Sequence, residues 1–157
     1  MRIVVVSDTH GKTARLEEVI LQQAKADYFI HLGDCVGDID ESKFDFPGKM
    51  FLNVPGNCDF ASLLPVEDEF VVCGKRIFYT HGHKYHVKSG YSRIIHEAVT
   101  RHADILLFGH THAAYTAYEN GLYIMNPGSL SHPHTGMPTY GVIDITPAGI
   151  VTNIVEA

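Results

Sequence analysis

The sequence predicts an α/β protein in which two sheets pack face to face as a β-sandwich flanked by helices, within a single domain covering residues 1–157. Three observations lead there. The chain opens on an unbroken β-branched run, as expected of a strand buried on both faces. Its first half alternates strand-like and helix-like patterns, and its last third is nearly all strand-like.

"RIVVVS" (2–7) is the opening strand. "TARLEEVILQQAKA" (13–26) places Leu16, Val19, Ile20 and Ala24 on one stripe and predicts an amphipathic helix. "YFIHLG" (28–33) and "KMFLNVPG" (49–56) are further strands, and the irregular stretch 34–48 between them predicts a surface loop. "EFVVCGKRIFYTHG" (69–82) reads as a hairpin turning near Gly74. "SGYSRIIHEAVTRHAD" (89–104) predicts a second helix, capped by Ser89, with Ile94, Ile95, Ala98 and Val99 inward. "ILLFG" (105–109) is a buried strand. Two hairpins follow, 114–126 with Asn-Gly at its turn and 139–156 with Pro-Ala-Gly. No repeat, linker or low-complexity tract interrupts the series.

Composition narrows the function classes. A chain of 157 residues, 45% hydrophobic, is long enough to bury its own core. No run approaches the roughly 18 apolar residues of a membrane helix, so no membrane partner is expected. The short apolar run in "MRIVVVSD" is too brief for a signal-peptide core, and the expected compartment is the cytoplasm. Cys35, Cys58 and Cys73 fit neither a disulfide framework nor a thiolate zinc site and read as reduced thiols. A net charge of −6, with 18 acidic and 12 basic residues and no basic run, argues against extended nucleic-acid binding. Eleven histidines direct attention to metal ligands.

The polar residues cluster where strands end. The first strand runs into "SDTH" with Asp8 and His10, the second into "GD" with Asp34, the third into "GNCD" with Asn57 and Asp59. The 69–82 hairpin ends in "THGH" with His81, and "ILLFG" runs into "GHTH" with His110 and His112. Ligand sites in α/β sheets lie beyond the carboxyl ends of strands, where loops converge. The expectation is that five loops meet at one edge of one sheet. Each residue alone also suits a turn, a cap or a partly buried strand end; it is the shared position that points to a site. Carboxylate, imidazole and amide oxygen together suit borderline-hard metals. Seven donors are too many for one tetrahedral ion and suit two metals sharing a carboxylate. Such a pocket would be locally positive and would attract a phosphate anion. "HGKT" (10–13) resembles the tail of a phosphate-binding P-loop, but Val6 occupies the position where that motif needs glycine.

The ordered set "DTH…GD…GNCD…THGH…GHTH", with the later "NPGS" (126–129), resembles the calcineurin-like metallophosphoesterase superfamily. Within it, the chain looks most like the small bacterial and archaeal phosphodiesterases. The resemblance spans residue 3 to at least 129 and implies an α/β/β/α sandwich with a di-metal centre. Carried over by motif, Asp8, His10, Asp34 and His112 would hold one divalent ion, and Asp34, Asn57, His81 and His110 the other, with Asp34 bridging. Manganese is the first choice, and nickel, cobalt, iron or zinc are also admitted by the donor set. A hydroxide bridging the metals would attack the phosphorus of a small phosphodiester in line. Asp59 would orient Asn57 or a ligand histidine, or close the turn.

Cys58 departs from the family pattern. Many members carry histidine there, able to protonate the leaving group; here a small packed thiol is expected. That favours diesters with good leaving groups, and His83, His132 and His134 are alternative proton donors. Two other readings accompany the di-metal phosphodiesterase. One is a non-catalytic protein-interaction scaffold like the retromer subunit of similar fold; the other is a nuclease acting on a short oligonucleotide or cyclic nucleotide. Exposed apolar residues in the late hairpins could support a homo-oligomer.

Overall fold

A computed structural model describes residues 1–157, the side chain of Glu41 excepted. Strand β1 (Arg2–Val6) buries Ile3 and Val5 on one face and Val4 and Val6 on the other, all fully. It pairs in parallel with β2 (Tyr28–His31), and β2 in parallel with β3 (Met50–Asn53). The late hairpin β9 (Thr139–Thr146) and β10 (Gly149–Glu156) completes this first sheet in the order β10-β9-β1-β2-β3.

The second sheet has the order β4-β5-β6-β8-β7. It comprises β4 (Glu67–Val72), β5 (Lys75–Thr80), β6 (Ile105–Phe108), β7 (Tyr115–Glu119) and β8 (Leu122–Asn126), with β5, β6 and β8 parallel. Its two hairpins turn where the sequence predicts. Cys73 and Gly74, and Asn120 and Gly121, all have positive φ, as a tight two-residue turn between twisted strands demands.

Three apolar layers hold the fold together. Between the sheets lie Ile3, Val5, Ile30 and Leu32 from one side, and Ile77, Tyr79, Ile105, Leu107 and Met125 from the other. Outside the first sheet, α1 (Thr13–Gln22) lays Leu16, Val19 and Ile20 on Val4, Val6 and Phe29. Outside the second, α3 (Ser92–Thr100) lays Ile94 and Ala98 on Phe78, Leu106 and Phe108. Burying each such large side chain stabilises by about 2 kcal/mol. The result is the expected α/β/β/α sandwich.

Four local expectations are corrected. Residues 34–48 are not simply a loop, since Gly37–Asp45 forms helix α2, which buries Ile39 in the same apolar layer as Leu16 and Phe29. Helix α1 stops at Gln22, so Ala24 is exposed and Ala26 is buried instead. Helix α3 starts at Ser92 with Tyr91 at its N-cap; Ser89 ends a short 3-10 turn and caps nothing, because Gly90 at φ 133° breaks the path. Val99, expected inward, is 55% exposed.

Parallel pairing puts the carboxyl ends of β1, β2 and β3 at one edge of the first sheet, and those of β5, β6 and β8 at one edge of the second. The motif loops therefore come from two sheets, not one. His81 after β5 crosses to the first sheet, donating its Nδ1–H to the Leu32 carbonyl at 2.6 Å. His110 after β6 donates its backbone N–H to Asp8 Oδ2 at 3.2 Å. The two edges adjoin, and the site lies across the seam.

Candidate metal centre

The loops meet only because their backbones can touch. A Cβ on Gly33 would lie 2.7 Å from the Gly56 Cα and 2.9 Å from His81 Nδ1; one on Gly56 would overlap the Asp34 backbone nitrogen and carboxylate. Asp59 then laces the two loops. Its Oδ2 accepts the N–H groups of Asp34 (2.9 Å) and Gly56 (2.8 Å), and its Oδ1 those of Cys35 (2.9 Å) and Val36 (3.1 Å). Asp59 thus clamps backbone; it does not orient the Asn57 side chain or a histidine, as one sequence expectation had it.

Five of the seven expected ligand residues, Asp8, His10, Asp34, His110 and His112, sit in left-handed backbone conformation, with φ between 45° and 69°. Each costs about 1 kcal/mol without glycine, and such strain collects where geometry serves function. The conformations turn successive side chains inward from very short loops.

Around Asp8 the acceptors outnumber the donors. Its carboxylate is fully buried; Oδ2 accepts from Ser7 Oγ at 2.5 Å and from the His110 N–H, while Oδ1 has no hydrogen-bond partner among the described residues. Facing Oδ1 at 3.1 Å is His112 Nε2. The other nitrogen of that ring donates to the His132 carbonyl at 2.7 Å, so Nε2 is the atom left for a proton or a cation. Asp8 pulls the His112 pKa up; burial works to raise the pKa of Asp8, and His112 and His81 outweigh it and hold the carboxyl low. His10 Nε2 lies 3.8 Å from Asp34 Oδ2. One donor atom from each of Asp8, His10, Asp34 and His112 falls within 4.8 Å of the others.

A second group of lone pairs converges on His81. Because Nδ1 donates to Leu32, Nε2 is bare in the neutral ring. It faces His110 Nδ1 at 3.1 Å, Asn57 Oδ1 at 3.2 Å and Asp34 Oδ1 at 3.6 Å. Burial pushes His110 down to about 4, so that ring is neutral near pH 7. One proton on Nε2 could serve only one of these acceptors, whereas a cation would serve them all. The residues present therefore fit two cations, with Asp34 offering Oδ2 towards the first group and Oδ1 towards the second. All seven expected residues gather here.

Several supporting residues escaped the sequence reading. Ser129 and Ser131 both donate to the Asp8 carbonyl at 2.8 Å, and Asn126 donates to the Gly109 carbonyl at 2.8 Å, so "NPGS" ties the "SDTH" and "GHTH" loops together. Buried His31 lies 3.0 Å from Thr9 Oγ1, which donates to Asp38 Oδ2 at 2.6 Å; the same oxygen accepts the Gly11 N–H. That occupation of Gly11 by a carboxylate agrees with discounting the P-loop likeness. A polar residue in the apolar strand "YFIHL" was the available signal for His31; Asp38 had none. Cys58 is exposed instead of packed, and partial burial and the Asp34 charge push its thiol up to about 11, a weak acid.

An oxygen- and nitrogen-rich donor set at the convergent strand ends of an α/β/β/α sandwich defines a metal-dependent phosphoesterase. The chain belongs to the calcineurin-like phosphoesterase superfamily, whose domain model matches residues 1–147. Bacillus subtilis YsnB, a probable metallophosphoesterase, is 31% identical over 135 residues, covering 85% of this chain and 77% of its own. Escherichia coli phosphodiesterase YfcE is 26% identical, covering 92% and 88%. Vacuolar protein sorting-associated protein 29 of Schizosaccharomyces pombe is 31% identical, covering 92% and 78%. A solved structure of a predicted phosphoesterase from Streptococcus pneumoniae superposes with a TM-score of 0.84 at 26% identity, covering 99% of this chain and 88% of the other. The family implies divalent metal ions. Among the described residues no helix is long and apolar enough to cross a membrane.

Proposed function

We propose that the protein is a di-metal phosphodiesterase acting on small phosphodiesters. The observation that carries this reading is the double convergence of potential ligand atoms, on Asp8 Oδ1 with His112 Nε2 and on His81 Nε2 with Asn57, His110 and Asp34. Asp8, His10, Asp34 and His112 would hold one ion, and Asp34, Asn57, His81 and His110 the other. When bound, two divalent cations would supply Lewis acidity at the phosphoryl group, charge neutralisation and a water acidified enough to serve as nucleophile. Manganese is the proposed ion, and the same donors admit nickel, cobalt, iron or zinc.

The chain's own residues prepare the site. The Leu32 and His132 carbonyls hold His81 and His112 with Nε2 inward. Ser7 and the His110 N–H fix one oxygen of Asp8, and the Cys58 N–H fixes Asp34 Oδ1 at 2.9 Å. Closely spaced carboxylates give the site its cation preference, and the loops need little rearrangement to bind. A thiol at position 58 is a poor proton donor, so diesters whose leaving groups depart as stable anions are favoured.

The likeness to the vacuolar sorting protein keeps a scaffold function as the second reading. Complete donor sets favour the enzyme, because a scaffold has no need of all seven. A cytoplasmic location, suggested by three free cysteines, and a homo-oligomer through Tyr118 and Val151 of the late hairpins belong to the same proposal. The test is hydrolysis of bis(p-nitrophenyl) phosphate with added manganese, repeated with His112→Ala. Turnover that the substitution reduces at least a hundredfold is expected; none with any divalent metal, in protein shown to hold two ions, would sink the enzyme reading.

A further inference from the structure

Beside the donor cluster lies an open cleft of about 680 Å³. His110 and His112 line it together with Lys88, Tyr91, His132 and His134. Among the described residues no carboxylate lines it. This is unusual in a chain of net charge −6, and Lys88, Tyr91, His132 and His134 come from stretches free of acids. Between Glu69 and Glu97 the chain has five Lys and Arg and no Asp or Glu; between Glu119 and Asp144 it has none of the four.

Within the first stretch, Lys75 pairs with Asp104 and Arg76 with Glu69. Among the described residues Lys84, Lys88 and Arg93 make no ion pair, and Lys88 alone of these three lines the cleft. Tyr91 is held by its ring against Phe108 (4.8 Å between centroids) and Tyr115 (5.0 Å), and among the described residues its hydroxyl has no hydrogen-bond partner. Tyr91 is also the N-cap of α3, and its side chain caps none of that helix's free N–H groups. An ammonium and a rigidly placed phenol thus line the same cleft as His110 and His112 of the donor cluster.

We propose that this cleft is an anion subsite, and that the preferred substrates are small phosphodiesters carrying a second phosphate on one ester arm. The scissile phosphate lies at the donor cluster, and the second phosphate lies in the cleft, with Lys88 as its counter-charge and the Tyr91 hydroxyl as a donor. The proposal rests on the phosphodiesterase reading and adds the substrate class. No carboxylate among the described lining residues repels a dianion, and the acidic remainder of the surface steers anions away from other sites.

A pair of substrates differing by one phosphate tests it: thymidine 5′-(p-nitrophenyl phosphate) and its 3′-phosphorylated counterpart, with manganese-loaded protein. At low ionic strength the 3′-phosphorylated compound is expected to have the higher kcat/KM, by roughly five- to tenfold, through KM. That preference should shrink with added salt and vanish in Lys88→Glu, while the same charge change at Lys25, outside the cleft, leaves it intact. Calorimetry with thymidine 3′,5′-bisphosphate and thymidine 5′-phosphate reads the same preference without turnover. Equal affinities in the unmodified protein, or an undiminished preference in Lys88→Glu, would overturn the subsite. Lack of turnover of both esters with the binding preference intact would count against the phosphodiesterase and support the anion site.

Discussion

Replacing Asp59 by asparagine removes one oxygen from a carboxylate that serves four backbone N–H groups. The remaining oxygen keeps one pair, and the new NH2 faces the other pair, donor against donor. Two charge-assisted hydrogen bonds are lost, each contributing about 1.5–3 kcal/mol when well formed. The group is only partly buried, so the lower half of the sum applies and Asp59→Asn should destabilise the fold by about 3 kcal/mol. Either orientation of the amide loosens one side of the Gly33–Gly56 approach, on which the positions of Asp34 and Asn57 depend. Urea denaturation of metal-free protein reads the stability, and manganese titration reads the site. Stability should fall by about 3 kcal/mol and manganese affinity by at least tenfold. A loss below about 1 kcal/mol with unchanged affinity would refute the view that Asp59 joins these loops.

Gly56→Ala would drive a methyl into Asp34, with Asp34 Cγ 2.9 Å from the new carbon; it should cost about 2–3 kcal/mol and weaken manganese binding, read by thermal melts and titration. Buried His31 is held down to about 4 by burial, which outweighs the nearby Asp8, Asp38 and Asp59 charges. Above pH about 6.5 it is neutral folded or unfolded; as the pH falls from there to about 4, only the unfolded chain takes up the proton. The His31 contribution to the stability of the metal-free protein should therefore fall by up to about 3 kcal/mol over that window, and His31→Gln should flatten this slope by one proton. Equal slopes in the two proteins would show that His31 does not drive the acid response.

Much of the site was legible because its chemistry is concentrated at strand ends. "RIVVVSDTH" and "ILLFGHTH" each announce a buried strand by composition and then present polar residues where the strand must stop. Helix α2 was not legible, since "GDIDESKFD" carries no apolar stripe: Ile39 is fully buried, but Phe44 is 87% exposed. Asp38 on that helix reaches Thr9 and Gly11, residues remote in sequence, and no local pattern encodes such a contact. The same holds for the seam. Strand patterns predict which residues lie at strand ends, but whether those strands share one sheet depends on pairing across long separations. The left-handed conformations of Asp8, His10, Asp34, His110 and His112 were hidden as well, because glycine, the usual sign of positive φ, is absent from those positions.

Manganese stoichiometry tests the two-ion claim most directly. Metal-free protein titrated calorimetrically, and the product analysed by mass spectrometry for bound metal, should take up two manganese ions per chain. His81→Ala should retain only one, and Asp34→Asn should lose tight binding of both. A single ion in the unmodified protein, or full occupancy in Asp34→Asn, would contradict a centre in which Asp34 is shared between two metals.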